Sequence, residues 1–401
     1  MLKKPMLLIF SILGLAACSS TQITTNKIDH ASYLLPTVAG DKSTPFHQSN
    51  QHALNKAIEI ETPEQIFALN DEAIGFVTKV VNSDLDDDGK VRALINHIFD
   101  RADLEMLYSA TANTSAAKTY ETGYANCLSL TILSYAMTQR AGLKSHFQRV
   151  NIPEFWTRRE GSSLINGHIN LRVMVDKQFG IQNIQQKNVI VDFDTQIRRR
   201  GFTSTDVSKE RITAMFYNNK GAELLLKKDN YNAYRFLSEA VKTDTMFSDA
   251  WVNLGLLYRR LGEYSLAESV YELAAQLDTK NLTALDNLAY LYDFQGLNNK
   301  AEKVRSKLQF RRQRNPFYHM MLGEIAYEEN QYELSIRHFN DAISIDREQH
   351  LFYFGLAKAH YASGDKKLAQ RYLKRAKRNS LDDELSDLYA SKLQAINLGT
   401  H

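Results

Sequence analysis

Apolar positions along this chain change their spacing several times, and each change predicts an element. Behind Lys3 and Lys4, Met6 to Leu15 is an apolar run too short to span a bilayer as a permanent helix. Residues 19 to about 60 are rich in Ser, Thr, Gln, Asn and Lys without a sustained apolar period, the pattern of an extended tether. A helix is expected from Thr62, which caps, with Pro63 in its first turn and Gln65 completing a capping box. Ile66, Phe67, Ile74, Phe76, Val77, Val80 and Val81 give that helix a continuous apolar side. A second helix is expected from Lys90 to about Arg101, capped by the preceding acidic turn. Cys127 to Ala141 is apolar almost all round, which predicts a helix buried on most sides, with Gly142 in the usual terminating position. Phe147 to Ile152 suits a strand. Ile165 to Val175 is a clearer one, alternating Ile169, Leu171, Val173 and Val175 with His168, Asn170, Arg172 and Met174. Val189 to Asp194 completes a helix followed by antiparallel strands. If the last two strands pair about Gly180, His168 lies opposite Asp192, although the polar loop between them leaves the register open.

The second half repeats. Ala233, Ala267, Ala301 and Ala369 fall on a 34-residue step, Ser335 takes the missing position, and Gly221, Gly255 and Gly323 keep the same phase. Trp251, Leu254, Gly255, Tyr258, Ala267, Tyr271 and Ala274 resemble the tetratricopeptide pattern. Five repeats are expected, at 214–247, 248–281, 282–315, 316–349 and 350–383, with a capping helix inside 384–401. Small residues at helix crossings let successive pairs stack into a superhelix with a concave groove for a protein partner. Tyr290 and Tyr292 are expected in the repeat core.

Composition changes this picture in two places. The 401 residues are 44% hydrophobic and carry a net charge of +3, so a sizeable core is available and nothing demands nucleic acid. Two basic runs, Arg305 to Arg314 and Lys374 to Arg378, read as solvated helix faces. Only two cysteines exist, Cys18 and Cys127. Leu15-Ala16-Ala17-Cys18 resembles the lipobox of bacterial lipoproteins, which implies a signal peptide over 1–17, lipidation of Cys18 and a tether over 18–60. Ser19 in place of Asp implies, by the same resemblance, the periplasmic face of the outer membrane. Asp84 to Gly89 starts like a calcium loop, but its twelfth position is Ile95, which offers no carboxylate. No metal site and no cofactor are expected.

Cys127 is then the one thiol left free in an oxidising compartment, where an unpaired thiol needs a reason. It opens a helix, so its sulfur lies at the positive end of the helix dipole, where a thiolate is stabilised. Asn126-Cys127-Leu128-Ser129-Leu130, Gly167-His168-Ile169-Asn170-Leu171 and Val191-Asp192-Phe193 resemble the transglutaminase-like core of the papain-like superfamily. The spacing of Thr111, Ala116 and Tyr120, and Phe155-Trp156, also resembles bacterial lipoproteins that join such a core to tetratricopeptide repeats. The resemblance implies an α+β papain-like domain over 61–205, followed by an all-α repeat solenoid. It implies a triad in which Cys127 attacks a carbonyl carbon, His168 carries the proton and Asp192 orients the imidazole. The backbone amide of Cys127 is the natural oxyanion donor. Asp194 shares the strand face of Asp192; Val-Asp-Phe matches the family pattern and favours Asp192. Trp156, Arg158 and Arg159 read as a solvated loop or a cleft lining. The implied activity is hydrolysis of peptide or isopeptide bonds in an envelope protein held by the repeats. An acyl-transferring cross-linking enzyme and a non-catalytic lipoprotein scaffold are the alternatives.

Overall fold

A computed structural model of the chain describes residues 35, 57–103, 112–150, 158–159, 162–163, 168–179, 183–193, 203–380 and 383–398. Cys18 and most of its tether, Thr111, Phe155, Trp156 and Asp194 lie outside these residues.

The expected first helix is two. α1 (Pro63–Phe67) starts with the capping box, Thr62 and Gln65 exchanging both hydrogen bonds. α2 (Asp71–Val81) starts afresh because the Asn70 side chain accepts from the Ala73 amide at 3.0 Å. A good N-cap inside the apolar stripe therefore outweighs its continuity. α3 (Asp87–Asp103) begins earlier than expected, with the Asp86 carboxylate accepting from the Gly89 amide at 2.8 Å. α4 (Ala116–Thr122) ends at Gly123, whose φ of 69° is left-handed. α5 (Cys127–Arg140) follows and ends at Gly142, φ 77°, with the Leu143 amide reaching back to the Thr138 carbonyl at 3.0 Å.

α5 packs on a sheet. β1 (Lys144–Val150), β4 (His168–Phe179), β5 (Asn183–Val191) and β6 (Ser204–Val207) form one antiparallel sheet in the order β5-β4-β1-β6. β2 (Arg158–Arg159) and β3 (Ser162–Ser163) form a separate two-stranded ribbon. β4 and β5 pair with Leu171 opposite Val191 and Phe179 opposite Asn183, two residues from the register expected about Gly180. The strands stay paired further toward their turn than the polar loop implied. A shift of two leaves each side chain on its expected face. Ile169, Leu171, Val173 and Val175 are buried, as the alternation requires.

Helix pairs of the expected period follow: α6 (Lys209–Leu226) with α7 (Asn230–Thr243), α8 (Ser248–Arg260) with α9 (Tyr264–Leu277), and α10 (Leu282–Phe294) with α11 (Asn298–Gln313). Next come α12 (Pro316–Glu328) with α13 (Tyr332–Ile345), α14 (His350–Ala362) with α15 (Lys366–Arg378), and finally α16 (Asp383–Leu398). Close approach explains the small residues in phase: a Cβ on Gly255 would lie 2.5 Å from the Tyr271 ring. Ser335 substitutes for alanine because its hydroxyl, fully buried, donates to the Gly323 carbonyl at 2.7 Å. Tyr292 is buried, but Tyr290 is 58% exposed beneath the Arg259 guanidinium and is not core. Two residues apart on one helix, the pair cannot share a face. In the first basic run Arg305 pairs with Asp293, and Arg312 with Asp286 at 2.6 Å.

The sheet domain and the array share one apolar core that extends from Ile66 to Leu308. Hydrogen bonds fasten the joint, among them Asn113 Nδ2 donating to the Phe216 carbonyl (2.8 Å), Tyr217 Oη to the Glu61 carbonyl (2.7 Å), the Ile58 amide to Asn232 Oδ1 (3.0 Å) and Arg235 Nη1 to the Ile58 carbonyl (2.6 Å).

Candidate active site

The site forms where the first residue of α5 meets the first residue of β4. Asn126 caps α5, its side chain accepting from the Ser129 amide at 2.9 Å, and Cys127 is the first helical residue. At that position its amide has no carbonyl of its own helix to bond, as a donor for a developing oxyanion requires. Ser129 braces the turn: its hydroxyl accepts from the Thr114 amide (2.9 Å) and donates to the Ala112 carbonyl (3.1 Å). One turn along, buried Thr131 bonds the Cys127 carbonyl at 2.7 Å and lies 3.3 Å from the Ile169 carbonyl on β4. That contact ties the cysteine's turn to the strand beside His168. Hydroxyls that bond within the helix, as Ser134 does to the Leu130 carbonyl at 2.8 Å, explain how α5 is buried despite its polar residues.

His168 is 4% exposed and lies across from Val150 of β1. Its Nε2 is 2.7 Å from Asp192 Oδ1. An ionised carboxylate only accepts, so Nε2–H donates. The other carboxylate oxygen is 3.4 Å from Asn170 Nδ2. Asp192 follows the last paired residue of β5, and continuing the ladder by one step sets it across from Asn170. Cys127 also acts on His168, adding to the pull that keeps the imidazole protonated. With Nε2 held by the carboxylate, Nδ1 is the ring nitrogen that remains available. Burial acts to depress the His168 pKa, but the bonds to Asp192 and Cys127 outweigh it and hold the imidazolium up to about 9. Cys127 is a partly exposed thiol outside any disulfide, whereas His168 and Asp192 are buried. The sulfur is therefore reachable from solvent and its partners are shielded, an arrangement suited to attack on an electrophilic carbon.

Cys127, His168 and Asp192, three residues read from sequence, thus converge. Arg158 and Arg159 lie in the β2–β3 ribbon. Sequence reasoning missed Thr131 and Asn170 as site residues. Helical spacing from Cys127 and strand alternation from His168 place them on the right faces, and neither type carries a distinctive signal by itself.

Among known proteins, the tetratricopeptide repeat family model matches residues 248–281 and 318–349, the second and fourth helix pairs. The C-terminal part is a helical tetratricopeptide-repeat solenoid. Superkiller protein 3 of Schizosaccharomyces pombe is 23% identical over 175 residues, 40% of this chain. The match spans only 12% of that protein's length. Among solved structures, similarity extends to YrrB, described as a tetratricopeptide-repeat protein with an unusual peptide-binding site, at 17% identity over 45% of this chain and 92% of that one, TM-score 0.24. It extends also to pilF of Pseudomonas aeruginosa, at 18% identity over 47% of this chain and 86% of that one, TM-score 0.25. Stacked repeats of this class provide a surface for protein or peptide partners.

Proposed function

We propose that the protein is a thiol enzyme that cleaves peptide or isopeptide bonds of a protein held on its repeats. The observation that carries this reading is a partly exposed thiol that acts directly on a buried imidazole, whose Nε2 is 2.7 Å from a buried carboxylate. Cys127 Sγ gives its proton to His168 and bonds to the substrate carbonyl carbon, and the carbonyl oxygen takes the displaced electron pair beside the Cys127 amide. The intermediate collapses, the carbon–nitrogen bond breaks, and the His168 imidazolium delivers its proton to the departing amine. Water, deprotonated by His168, then attacks the thioester and frees the thiol with a carboxylic acid as product. Asp192 keeps Nε2 protonated and Nδ1 directed at sulfur throughout. In this transglutaminase-like reading, hydrolysis is preferred to transfer because water is abundant and no amine-binding motif marks the chain.

The test is intact-mass analysis of the protein mixed with candidate envelope proteins, with and without a labelled primary amine. An acyl adduct on Cys127 that yields shortened or deamidated product is expected, and Cys127→Ala should abolish both while its thermal transition stays in place. Full turnover by Cys127→Ala would end the thiol mechanism, and no adduct or turnover by the unmodified protein would leave a protein-binding scaffold, the role the repeats alone provide. Amine incorporation without cleavage would turn hydrolase into cross-linking enzyme. The lipobox reading adds a lipid on Cys18 and an outer-membrane address. Cys18→Ala should then release the protein into the soluble periplasmic fraction, and unchanged membrane retention would count against the anchor.

A further inference from the structure

The fourth repeat holds a second cluster of chemistry-bearing side chains, far in sequence from Cys127. His319 stands in the first turns of α12, and His338 and Asp341 lie one turn apart on α13. One ring nitrogen from each histidine and an Asp341 carboxylate oxygen all lie within 4.8 Å of one another. His319 Nδ1 is 3.7 Å and His338 Nδ1 3.9 Å from Asp341 Oδ2. Both Nδ1 atoms are buried and have no hydrogen-bond partner. The His319 tautomer follows from its other nitrogen: Nε2 donates to the Gln313 carbonyl, the last residue of α11, at 2.9 Å. That bond leaves Nδ1 with a bare lone pair aimed at the carboxylate, which is itself only an acceptor.

At least one bare lone pair and a carboxylate lie at this point, beside a second imidazole nitrogen that also has no hydrogen-bond partner, and buried polar atoms without a partner are costly. A cation resolves the conflict. A backbone carbonyl that fixes the second nitrogen of a ligating histidine is the usual support of an imidazole–metal bond. The donor set of two imidazoles and one carboxylate suits zinc with a water in its fourth position. Zinc bonds of about 2.0–2.1 Å put tetrahedral ligand atoms roughly 3.3 Å apart. The Asp341 side chain, 57% exposed, can close the few tenths of an ångström on its side, and small rotations of the two histidine rings must close the rest of a spread of up to 4.8 Å.

We propose that His319 and His338, through Nδ1, and Asp341, through one carboxylate oxygen, bind a zinc-type divalent cation that cross-links α12 to α13 in the fourth repeat. The sequence reading named no metal because the three ligands come from two helices and match no compact ligand motif. The site does not depend on the thiol chemistry proposed above.

The test uses the full chain carrying Cys127→Ala, so that the thiol, His168 and Asp192 cannot supply a competing site. Chelator-stripped protein is titrated with zinc chloride by calorimetry, and its thermal transition is followed with and without the metal. One saturable equivalent and a higher Tm are expected. His319→Gln and His338→Gln should each weaken binding about tenfold or more, by analogy with the loss of supporting groups at known sites. Asp341→Asn keeps the volume and helix of an exposed position, so it folds even if a histidine variant does not, and it should weaken zinc equally. Absence of a saturable equivalent, or an equivalent that Asp341→Asn leaves at full affinity, would overturn the site.

Discussion

The His168 side chain is where burial and hydrogen bonding oppose each other most directly, and the hydrogen bonds prevail. Because its pKa is raised from the ordinary 6.5 to about 9, the imidazolium is the resting form at neutral pH. Turnover is therefore expected to fall as pH rises through about 9, where the proton needed by the leaving amine is lost. Asp192→Asn removes one of the two bonds that raise the pKa, so this alkaline limb should move toward lower pH; an unmoved limb would separate it from His168. The same shift links to stability. The folded state binds this proton more tightly than the unfolded chain, so the gain is full below about 6.5 and disappears as pH passes about 9. Urea unfolding of wild type and Asp192→Asn across that window should show the difference between them shrinking with rising pH. Thr131→Val keeps the shape but deletes the hydroxyl that donates to the Cys127 carbonyl and lies against the Ile169 carbonyl. It is expected to cost about 1 kcal/mol of stability and to slow acylation more than it alters substrate binding, read as a loss in kcat.

At the level of elements, two glycine positions separate crowding from chain entropy. Gly255→Ala would drive a methyl group into Tyr271 and is expected to destabilise by about 1–3 kcal/mol. Gly75→Ala, inside α2 with open space around it, should stabilise by roughly 0.4–1 kcal/mol. Chemical denaturation of both variants checks the signs, and equal effects would contradict the packing. Local features were the most legible in the sequence: the Thr62 capping box needs only neighbours, and the 34-residue step needs only self-comparison. The break at Asn70 was missed because an apolar stripe continues through it, although the side-chain cap ends one helix and starts another. Register was misjudged by two residues because it depends on how far the strands stay paired, which alternation does not report. The face of the strand was legible for the opposite reason, since parity survives that error. Tyr290 was assigned to the core by residue type, where helical angle would have set it outside.

Over the whole molecule, the sheet domain and the first repeat share one core, so the site and the array are mechanically joined rather than strung together. Phe216 is fully buried and its carbonyl accepts from Asn113, in the segment that braces the Cys127 turn. Phe216→Ala is expected to cost about 3–5 kcal/mol and to speed hydrogen exchange in both α5 and α6. Faster exchange in α6 alone would mean that the two parts open separately. The central claim is that Cys127 is an activated nucleophile, and its most direct test is the rate of iodoacetamide alkylation at neutral pH. Cys127 should react faster than a small model thiol and lose that advantage in His168→Ala. A rate no higher than the model thiol's, unchanged by His168→Ala, would contradict the account.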